Sequence, residues 1–508
     1  MPEAVDQATK RKRQKIFIME EEPLMKTNER DLYDDFQKSK QFSNEDVETP
    51  EDRKLRKRSM RVIYLISFFG AIAYTITMPS LWPYMKKLDQ FVKPWYLGMA
   101  NGGYSLGQLI GSVTFCAWHH THGARTPLLA CILLKFSGDC LYALAAAFTG
   151  SNGLTMVIVA RFVTGLSNGQ AVVCSTVLAQ SSTLKEKKIT FAYLSTLYAL
   201  GHAAGPGLSA FFAIVLKNEY RHLFIILNVF NAPGWLGMFL QFTSFTSVLI
   251  WLKEYNLNSK SDKEIKQGNL PKPDIFALIL VAVSYFVIYV VFSAVETLTA
   301  PLMADELAMT KRAAVFNAGM LLSSLGPIAI LSLAFVKYSS KRMSERQVIL
   351  VGCTIGLVGF IIFLPWGYTY PTLQTTEVSK VGNLTQFRLK EGCPAKYQWC
   401  KNTPKIHLEQ LIIAELMALI GYTLPYLVIN GLYSKVVGPR KQGYYLAALF
   451  ISGCISGITS PLLLAYIYEH LGPRYVFITI AFVLSLFILV FTYFYSRLVP
   501  FEEYIKKN

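Results

Sequence analysis

Charged side chains are scarce in this sequence. Asp, Glu, Lys and Arg make up only 16% of its 508 residues, whereas they account for about 25% of a typical soluble domain. Apolar residues make up 52%, and the mean hydropathy is +0.34. This composition excludes an ordinary soluble domain and indicates a membrane protein.

Two further features are missing. The first 58 residues contain no apolar stretch of the kind that a signal peptide needs, so we expect no cleavable signal peptide. The His-His-Thr-His run at 119–122 has no matching cysteines or carboxylates near it, which favours a solvated loop over a metal site. We therefore expect no metal and no cofactor. An integral membrane enzyme stays an alternative, but this run is its only candidate centre.

Long apolar runs, in contrast, are abundant. A helix needs about 20 mostly apolar residues to cross the hydrocarbon layer, and twelve runs meet this requirement. We therefore predict an all-α, polytopic protein with twelve transmembrane helices in a lipid bilayer. The predicted spans are 62–84, 95–117, 127–148, 154–179, 190–215, 223–251, 275–300, 313–336, 347–366, 408–433, 444–467 and 475–497.

A polar stretch after the sixth run divides the spans into two sets of six. Such halves are typical of transporters built from repeats. The predicted parts are a largely disordered tail at 1–58, an amino-terminal six-helix half at 59–252, a linker at 253–274, a carboxy-terminal six-helix half at 275–498 and a short tail at 499–508.

Basic residues are concentrated in the tails and in alternate connections. The net charge is +17, and the run Lys-Leu-Arg-Lys-Arg at 54–58 immediately precedes the first span. The positive-inside rule therefore places both termini in the cytosol. This distribution explains the positive charge without nucleic acid as a partner.

The connection at 367–407 then lies on the side of the membrane opposite the cytosol. It contains Asn383 in an Asn-Leu-Thr glycosylation sequon, and it contains Cys393 and Cys400, the only cysteines outside the predicted spans. A sequon and a cysteine pair in one loop indicate a lumenal or extracellular, oxidising compartment. We expect a glycan on Asn383 and a disulfide between the two cysteines.

Small residues recur at helical spacing. Glycines at 103, 107 and 111 in the second span predict a close helix contact, because small residues four apart let two backbones approach in lipid. The fifth span contains Gly201-x-x-x-Gly205-Pro206, and the eleventh contains Ser456-x-x-x-Ser460-Pro461. These corresponding positions indicate an internal repeat with a bend at each proline.

Three motifs resemble signatures of the major facilitator superfamily. Gly123 and Arg125 match the signature that follows the second span, although His120 stands where that signature has an acid. Arg161-Phe-Val-Thr-Gly165 and the Gly201 to Pro206 motif resemble the other two signatures. The resemblance implies two pseudo-symmetric halves and alternating access around a central cavity lined by spans one, four, seven and ten.

Further matches resemble the endolysosomal members of this superfamily. This resemblance implies a multi-pass protein of the lysosomal or endosomal membrane that takes part in ion homeostasis, a role for which a chloride conductance has been proposed. The matches are the segments at 80–85, 104–108, 363–367 and 432–439 and the cysteine pair in the long loop.

Charged side chains within spans are costly and suggest function by default. Lys135 and Asp139 are four residues apart in the third span, so they share a helix face and can neutralise each other. Asp139 and Arg161 have similar expected depths in antiparallel neighbouring spans. A structural Asp139–Arg161 pair and a role in substrate binding are both open.

Three of the charged residues fall on spans that the resemblance assigns to the cavity. Our hypothesis is that Arg161 attracts an anion or an anionic group of a small-molecule or ion substrate, and that Glu296 or Glu415 takes up a proton. Glu296 is the weaker candidate because it lies nearer the expected membrane surface. Gln108 either orients a ligand or bonds to a neighbouring helix.

The amino-terminal tail contains one further motif. The segment from Glu20 to Leu24 and Met25 resembles an acidic dileucine sorting signal, which a clathrin adaptor would bind. A merely solvated run of charges is the alternative. A receptor or adaptor that transports nothing is the remaining alternative to a transporter.

Overall fold

A computed structural model describes most of the chain after residue 49. The described ranges are 50–148, 150–182, 187–222, 225–253, 274–339, 342–381, 384–389, 391–437 and 442–498. The predicted sorting signal at Glu20, Leu24 and Met25 and the predicted glycosylation site at Asn383 lie outside these ranges.

The described residues form helices and two short hairpins. The helices before the linker are α1 (Pro50–Thr75), α2 (Met78–Leu88), α3 (Pro94–His122), α4 (Arg125–Leu144), α5 (Ser151–Leu166), α6 (Gly169–Ser181), α7 (Lys187–Val215) and α8 (Ala232–Trp251). The helices after it are α9 (Ile275–Asp305), α10 (Lys311–Ser323), α11 (Leu325–Ser339), α12 (Glu345–Ile362), α13 (Trp399–Asn402), α14 (Leu408–Val437), α15 (Gln442–His470) and α16 (Pro473–Tyr493). The antiparallel hairpins pair β1 (Tyr220–His222) with β2 (Ile225–Leu227), and β3 (Thr376–Val381) with β4 (Leu384–Leu389).

The helices form a membrane-spanning bundle. Within the described ranges, nine helical stretches are long and apolar enough to cross a bilayer, and the bent pair of α1 and α2 makes a tenth. Helices α3 and α8 are 29 and 20 residues long and pack in the same bundle. The predicted polytopic helical fold is therefore confirmed, while hydropathy supports up to ten of the twelve predicted spans in this part of the chain.

Two boundaries differ from the predicted spans. Helix α1 begins at Pro50, inside the predicted disordered tail, because a proline followed by acidic residues favours the first turn of a helix. The predicted sixth span, 223–251, includes strand β2, and α8 begins only at Ala232. The side-chain oxygens of Asn228 and Asn231 each accept a hydrogen bond from the other residue's backbone N–H group, and the two residues form the turn between the hairpin and α8.

Helices α1 and α2 form one broken span with a bend of 40°. Pro79 lies in the first turn of α2 and has no N–H group, so the helical hydrogen bonding is interrupted after Thr75. Thr77 lies at this break. The two parts of the span therefore point in different directions, with Thr77 at the joint.

Glycines permit direct backbone contact between α3 and α5. A Cβ atom placed on Gly111 would lie 1.9 Å from the carbonyl oxygen of Leu166, and one on Gly165 would lie 2.1 Å from that of Tyr104. The close contact predicted from the glycine spacing is therefore confirmed. Gly103 takes no part in it, because a Cβ atom there would meet nothing within 4 Å.

Gly201 and Gly205 bring α7 against the first span. A Cβ atom on Gly201 would lie 2.6 Å from the Cβ atom of Ala71, and one on Gly205 would lie 2.1 Å from Oγ1 of Thr75. Small residues four apart thus remove the side chains that would separate the two backbones.

The two proline positions of the internal repeat lie at the interface between the halves. The carbonyl oxygen of Pro206 in α7 faces Gly319 of α10, where an added Cβ atom would approach to 2.6 Å. The carbonyl oxygen of Pro461 in α15 faces Gly98 of α3, where the approach would be 2.8 Å. The corresponding motifs therefore make corresponding contacts, each with the opposite half.

The segment between α12 and α14 defines what we call the loop end of the bundle. It contains the β3–β4 hairpin and the predicted disulfide between Cys393 and Cys400, which is present. At the other end, Gly123 ends α3 with a φ of 77°, a conformation that favours glycine. Arg125 follows and donates to the carbonyl oxygen of Leu249, which ties α4 to the end of α8.

We predict that Gly111→Ala destabilises the protein while Gly103→Ala does not. The added methyl group at residue 111 must displace backbone at Leu166, and overpacking of this kind costs about 1–3 kcal/mol. The same substitution at residue 103 meets open space and improves helix propensity. Thermal unfolding of the purified variants in one detergent measures the difference, and equal midpoints for the two variants would contradict the contact.

Candidate functional site

The centre of the bundle contains a buried arginine from α5. Only 2% of Arg161 is exposed. Its guanidinium donates to Thr77 Oγ1 at 2.9 Å and to Asn101 Oδ1 at 3.4 Å. Its Nη2 atom lies 3.7 Å from Oε1 of Glu296, which α9 supplies from the opposite half. The positive charge is therefore neutralised across the interface between the halves.

Two tyrosines hold the pair in place. The hydroxyl of Tyr74 lies 3.3 Å from each carboxylate oxygen of Glu296, and its ring stacks on Tyr104 with 4.6 Å between centroids. The guanidinium of Arg161 lies 4.9 Å from the Tyr104 ring centroid and 5.7 Å from that of Tyr74. These distances permit cation–π attraction, which is stronger where water is excluded.

A cavity between the two halves exposes this site. It is lined by aromatic rings, small residues, a few polar groups and one carboxylate, that of Glu296. Gln108 lines it as well, so the ligand-orienting hypothesis for this residue stays a prediction. The lining residues are Tyr74, Asn101, Tyr104, Ser105 and Gln108 from α1 and α3; Tyr289, Phe292, Ser293 and Glu296 from α9; and Phe450, Gly453, Cys454, Gly457 and Pro461 from α15.

The cavity-lining helices differ from the four expected ones. Helices α1 and α9, from the first and seventh spans, line it as expected, but α3 and α15 take the places assigned to the fourth and tenth spans. Arg161 of α5 lies behind the rings of Tyr74 and Tyr104. Glu296 is largely buried and pairs with Arg161 at the interface between the halves, so it is not simply solvated, and the reason for ranking it as the weaker candidate does not hold.

Glu415 does not belong to this cavity. Its Oε1 atom accepts a hydrogen bond from Thr299 at 3.0 Å, and its Oε2 atom is buried without a hydrogen-bond partner. The side chain is packed between α9 and α14 and is absent from the cavity lining. Of the two candidates for proton uptake, Glu296 therefore lines this cavity and Glu415 does not.

The predicted Asp139–Arg161 ion pair is also absent from the described part of the chain. Lys135 Nζ donates to the carbonyl oxygen of Gly70 at 2.7 Å, and Asp139 Oδ2 has no hydrogen-bond partner. The Asp139 carboxylate lies against Gly237 of α8, where an added Cβ atom would be 2.6 Å away. Similar expected depths were not enough to predict an ion pair, because the Asp139 and Arg161 side chains face different neighbours.

His202 of α7 packs beside the site. Its Nδ1 atom lies 2.7 Å from the carbonyl oxygen of Tyr198, and its ring meets Tyr74 edge-on at 5.8 Å. Within the described ranges, no group of three or more His, Cys, Asp and Glu side chains has the arrangement of a metal site.

A second buried ion pair joins the halves between the cavity and the loop end. Lys86 of α2 lies 2.5 Å from Asp305 at the end of α9, and Tyr468 donates to the same carboxylate at 3.2 Å. Lys311 also donates to the carbonyl oxygen of Lys86 at 3.2 Å. Sequence reasoning missed this pair because charged residues near the ends of spans are usually solvated.

The loop packs over this ion pair. The backbone N–H of Ile406 donates to Glu306 at 3.2 Å, and Trp399 meets Tyr468 edge-on at 5.3 Å. Glu306 is 1% exposed and its Oε1 atom has no hydrogen-bond partner. Burial raises the pKa of this carboxyl group to about 8. The loop end is therefore closed by a buried, largely polar layer.

The sequence-family model described as "Major Facilitator Superfamily" matches residues 63–378 of this chain. The chain belongs to the major facilitator superfamily. It is 30% identical over 482 residues to the Xenopus laevis "Major facilitator superfamily domain-containing protein 8", a match that covers 90% of this chain and 94% of the relative. This membership confirms the predicted family and fold, and it supports a membrane transporter.

Solved transporters share the fold. The human organic anion transporter MFSD10 aligns with a TM-score of 0.53 at 15% identity, covering 87% of this chain and 100% of that one. A peptide transporter in complex with sulfate aligns with a TM-score of 0.61 at 12% identity, covering 87% and 95%. At these identities the likeness concerns the fold alone.

We predict that the protein loses stability as the pH rises from about 4.5 to 8, and that Glu306→Gln reduces this loss. The pKa of Glu306 is higher in the folded protein than in the unfolded chain. Its buried carboxyl group therefore contributes fully to the stability of the folded state below the pKa that it has in the unfolded chain, and this contribution is lost as the pH rises through the folded-state pKa. Thermal midpoints at pH 5 and pH 8.5 measure the effect. Glu409→Gln, on the exposed first turn of α14, is the matched control; equal pH dependence of the two variants would contradict the assignment.

Proposed function

We propose that this protein is an alternating-access anion transporter of the lysosomal membrane, and that Glu296 takes up a proton with each anion. The single observation that supports this proposal is the Arg161–Glu296 pair, which joins the two halves at the cavity. Chloride is the first anion to test, on the resemblance to endolysosomal members of the superfamily.

The pair provides a physical basis for exchange of partners. Glu296 is 3.7 Å from Arg161, longer than a charge-assisted hydrogen bond of about 2.7–2.9 Å. Protonation removes the negative charge of Glu296 and leaves the buried guanidinium uncompensated, which is costly in a low dielectric. An incoming anion then neutralises Arg161, so one proton and one anion enter together.

The neutral pair also explains how the empty protein changes conformation. When Glu296 is ionised and faces Arg161, the site carries no net charge, and the two halves can rock against each other around it. Opening toward the loop end requires separation of Lys86 from Asp305. In the present conformation that ion pair holds the two halves together between the cavity and the loop end.

The membrane topology and the lysosomal location are parts of the same proposal. We place the loop at 367–407 in the lumen and both termini in the cytosol. The Cys393–Cys400 disulfide supports this orientation, because disulfides persist in oxidising compartments. A glycan on Asn383 would agree with it, and the motif from Glu20 to Met25 would deliver the protein to lysosomes through a clathrin adaptor.

We expect that Arg161→Ala reduces chloride flux at least tenfold in proteoliposomes and that Glu296→Gln abolishes its dependence on a pH gradient. The first change removes the buried cation that pairs with Glu296 of the cavity lining, and the second mimics a permanently protonated carboxyl group. Tracer uptake with and without an inward proton gradient measures both effects. Arg161→Lys tests the requirement for charge if the alanine variant does not fold.

Two exposed substitutions serve as controls for these variants. Arg221→Ala in the β1–β2 hairpin and Glu409→Gln in α14 make the same chemical changes away from the cavity, and we expect them to keep wild-type flux. Size-exclusion profiles identify variants that are misfolded. Wild-type flux in Arg161→Ala, or an unchanged proton dependence in Glu296→Gln, would remove the pair from the mechanism.

A further inference from the structure

Helix α1 extends beyond the apolar span at the end of the bundle opposite the loop. It begins at Pro50, whereas the apolar run starts at Val62. The intervening turns carry many basic residues, and their exposed members are Arg53, Lys54, Lys57, Arg58 and Arg61. The helix places these charges in a fixed geometry, which a flexible tail would not provide.

The five exposed cations share one face of the helix. At about 100° per residue, their positions fall within an arc of about 140°, and the distance from Arg53 to Arg61 along the axis is about 12 Å. The opposite side is buried and contains Arg56, Ser59 and Met60. We call the five exposed residues the basic face of α1.

Two contacts fix the rotation of this helix. Arg56 donates to the carbonyl oxygen of Ser181 at the end of α6, at 2.9 Å. Ser59 donates to the carbonyl oxygen of Lys253 at 2.8 Å and accepts from the backbone N–H of the same residue at 3.1 Å. The basic face is thereby held away from the bundle, and the exposed Lys253 is kept beside α1.

An aromatic ring indicates where the basic face lies relative to the membrane. The guanidinium of Arg58 lies 5.7 Å from the ring centroid of Trp251, the last residue of α8. Trp251 is 42% exposed, and exposed tryptophans at the ends of spans lie at the level of the lipid headgroups. The basic face therefore lies beside the headgroup layer.

We propose that the basic face of α1 binds the headgroup of a lipid that carries several phosphates, of the polyphosphoinositide class. Clusters of four or more Lys and Arg residues next to a transmembrane helix attract such headgroups. The acidic residues of this part of α1 are Glu51 and Asp52 in its first turn, so cations predominate on the outward face. The positive-inside rule depends on the number of basic residues beside a span and not on their arrangement. The alignment of these five residues on one face therefore goes beyond what topology requires, and it provides a surface for a multivalent anion.

The test measures lipid binding by the full-length protein. Short-chain phosphatidylinositol bisphosphate is titrated onto purified protein in detergent, with phosphatidylcholine and free inositol phosphate as comparison ligands. We expect the triple variant Lys54→Gln, Lys57→Gln, Arg58→Gln to bind the phosphoinositide roughly 100-fold more weakly, at about one order of magnitude per one to two cations removed.

A matched variant controls for the loss of charge alone. Lys337→Gln, Arg342→Gln, Arg346→Gln removes three cations near the same end of the bundle, in and between α11 and α12, and we expect it to bind like the wild type. Equal weakening in both triple variants would assign the effect to net charge and overturn the proposal. Equal affinity for free inositol phosphate and for the lipid would also overturn it, since the ligand would then be soluble. Size-exclusion profiles confirm that both variants are folded.

Discussion

The structure depends on neutralising one positive charge, that of Arg161, which is 2% exposed. Burial of an unpaired charge costs several kcal/mol. Thr77 and Asn101 satisfy part of the guanidinium, but the compensating negative charge comes from Glu296 in the other half. The electrostatic requirement of one half is thus met only when the other half is in contact with it.

Backbone contacts complement this electrostatic link. Helices in lipid gain little from burying apolar side chains against each other, so close packing of small residues becomes the main source of association. Gly98 and Gly319 provide such contacts across the interface, each against the carbonyl of a proline in the other half. Surfaces of small residues interlock less than surfaces of large side chains, which suits the movement of the halves in the proposed mechanism.

The sequence predicted the parts of the site that follow from composition and chemistry. Arg161 stood out because a charged residue is rare within a span, and the disulfide followed from two cysteines isolated in one loop. The partner of Arg161 could not be predicted in this way. The rise per residue predicts how deep a residue lies along a helix, but it does not predict which neighbouring helix the side chain faces. The Asp139 carboxylate lies against Gly237, whereas Glu296, ranked as the weaker candidate, pairs with Arg161.

The break between α1 and α2 connects the two ion pairs that join the halves. Thr77 lies at this break and accepts a hydrogen bond from Arg161, and α2 carries Lys86, the partner of Asp305, at its far end. A short rigid helix attached at a bend acts as a lever. In the proposed transport cycle, a small displacement of Thr77 on exchange of the guanidinium's partner would be magnified at Lys86, which would couple occupancy of the cavity to the Lys86–Asp305 contact near the loop end.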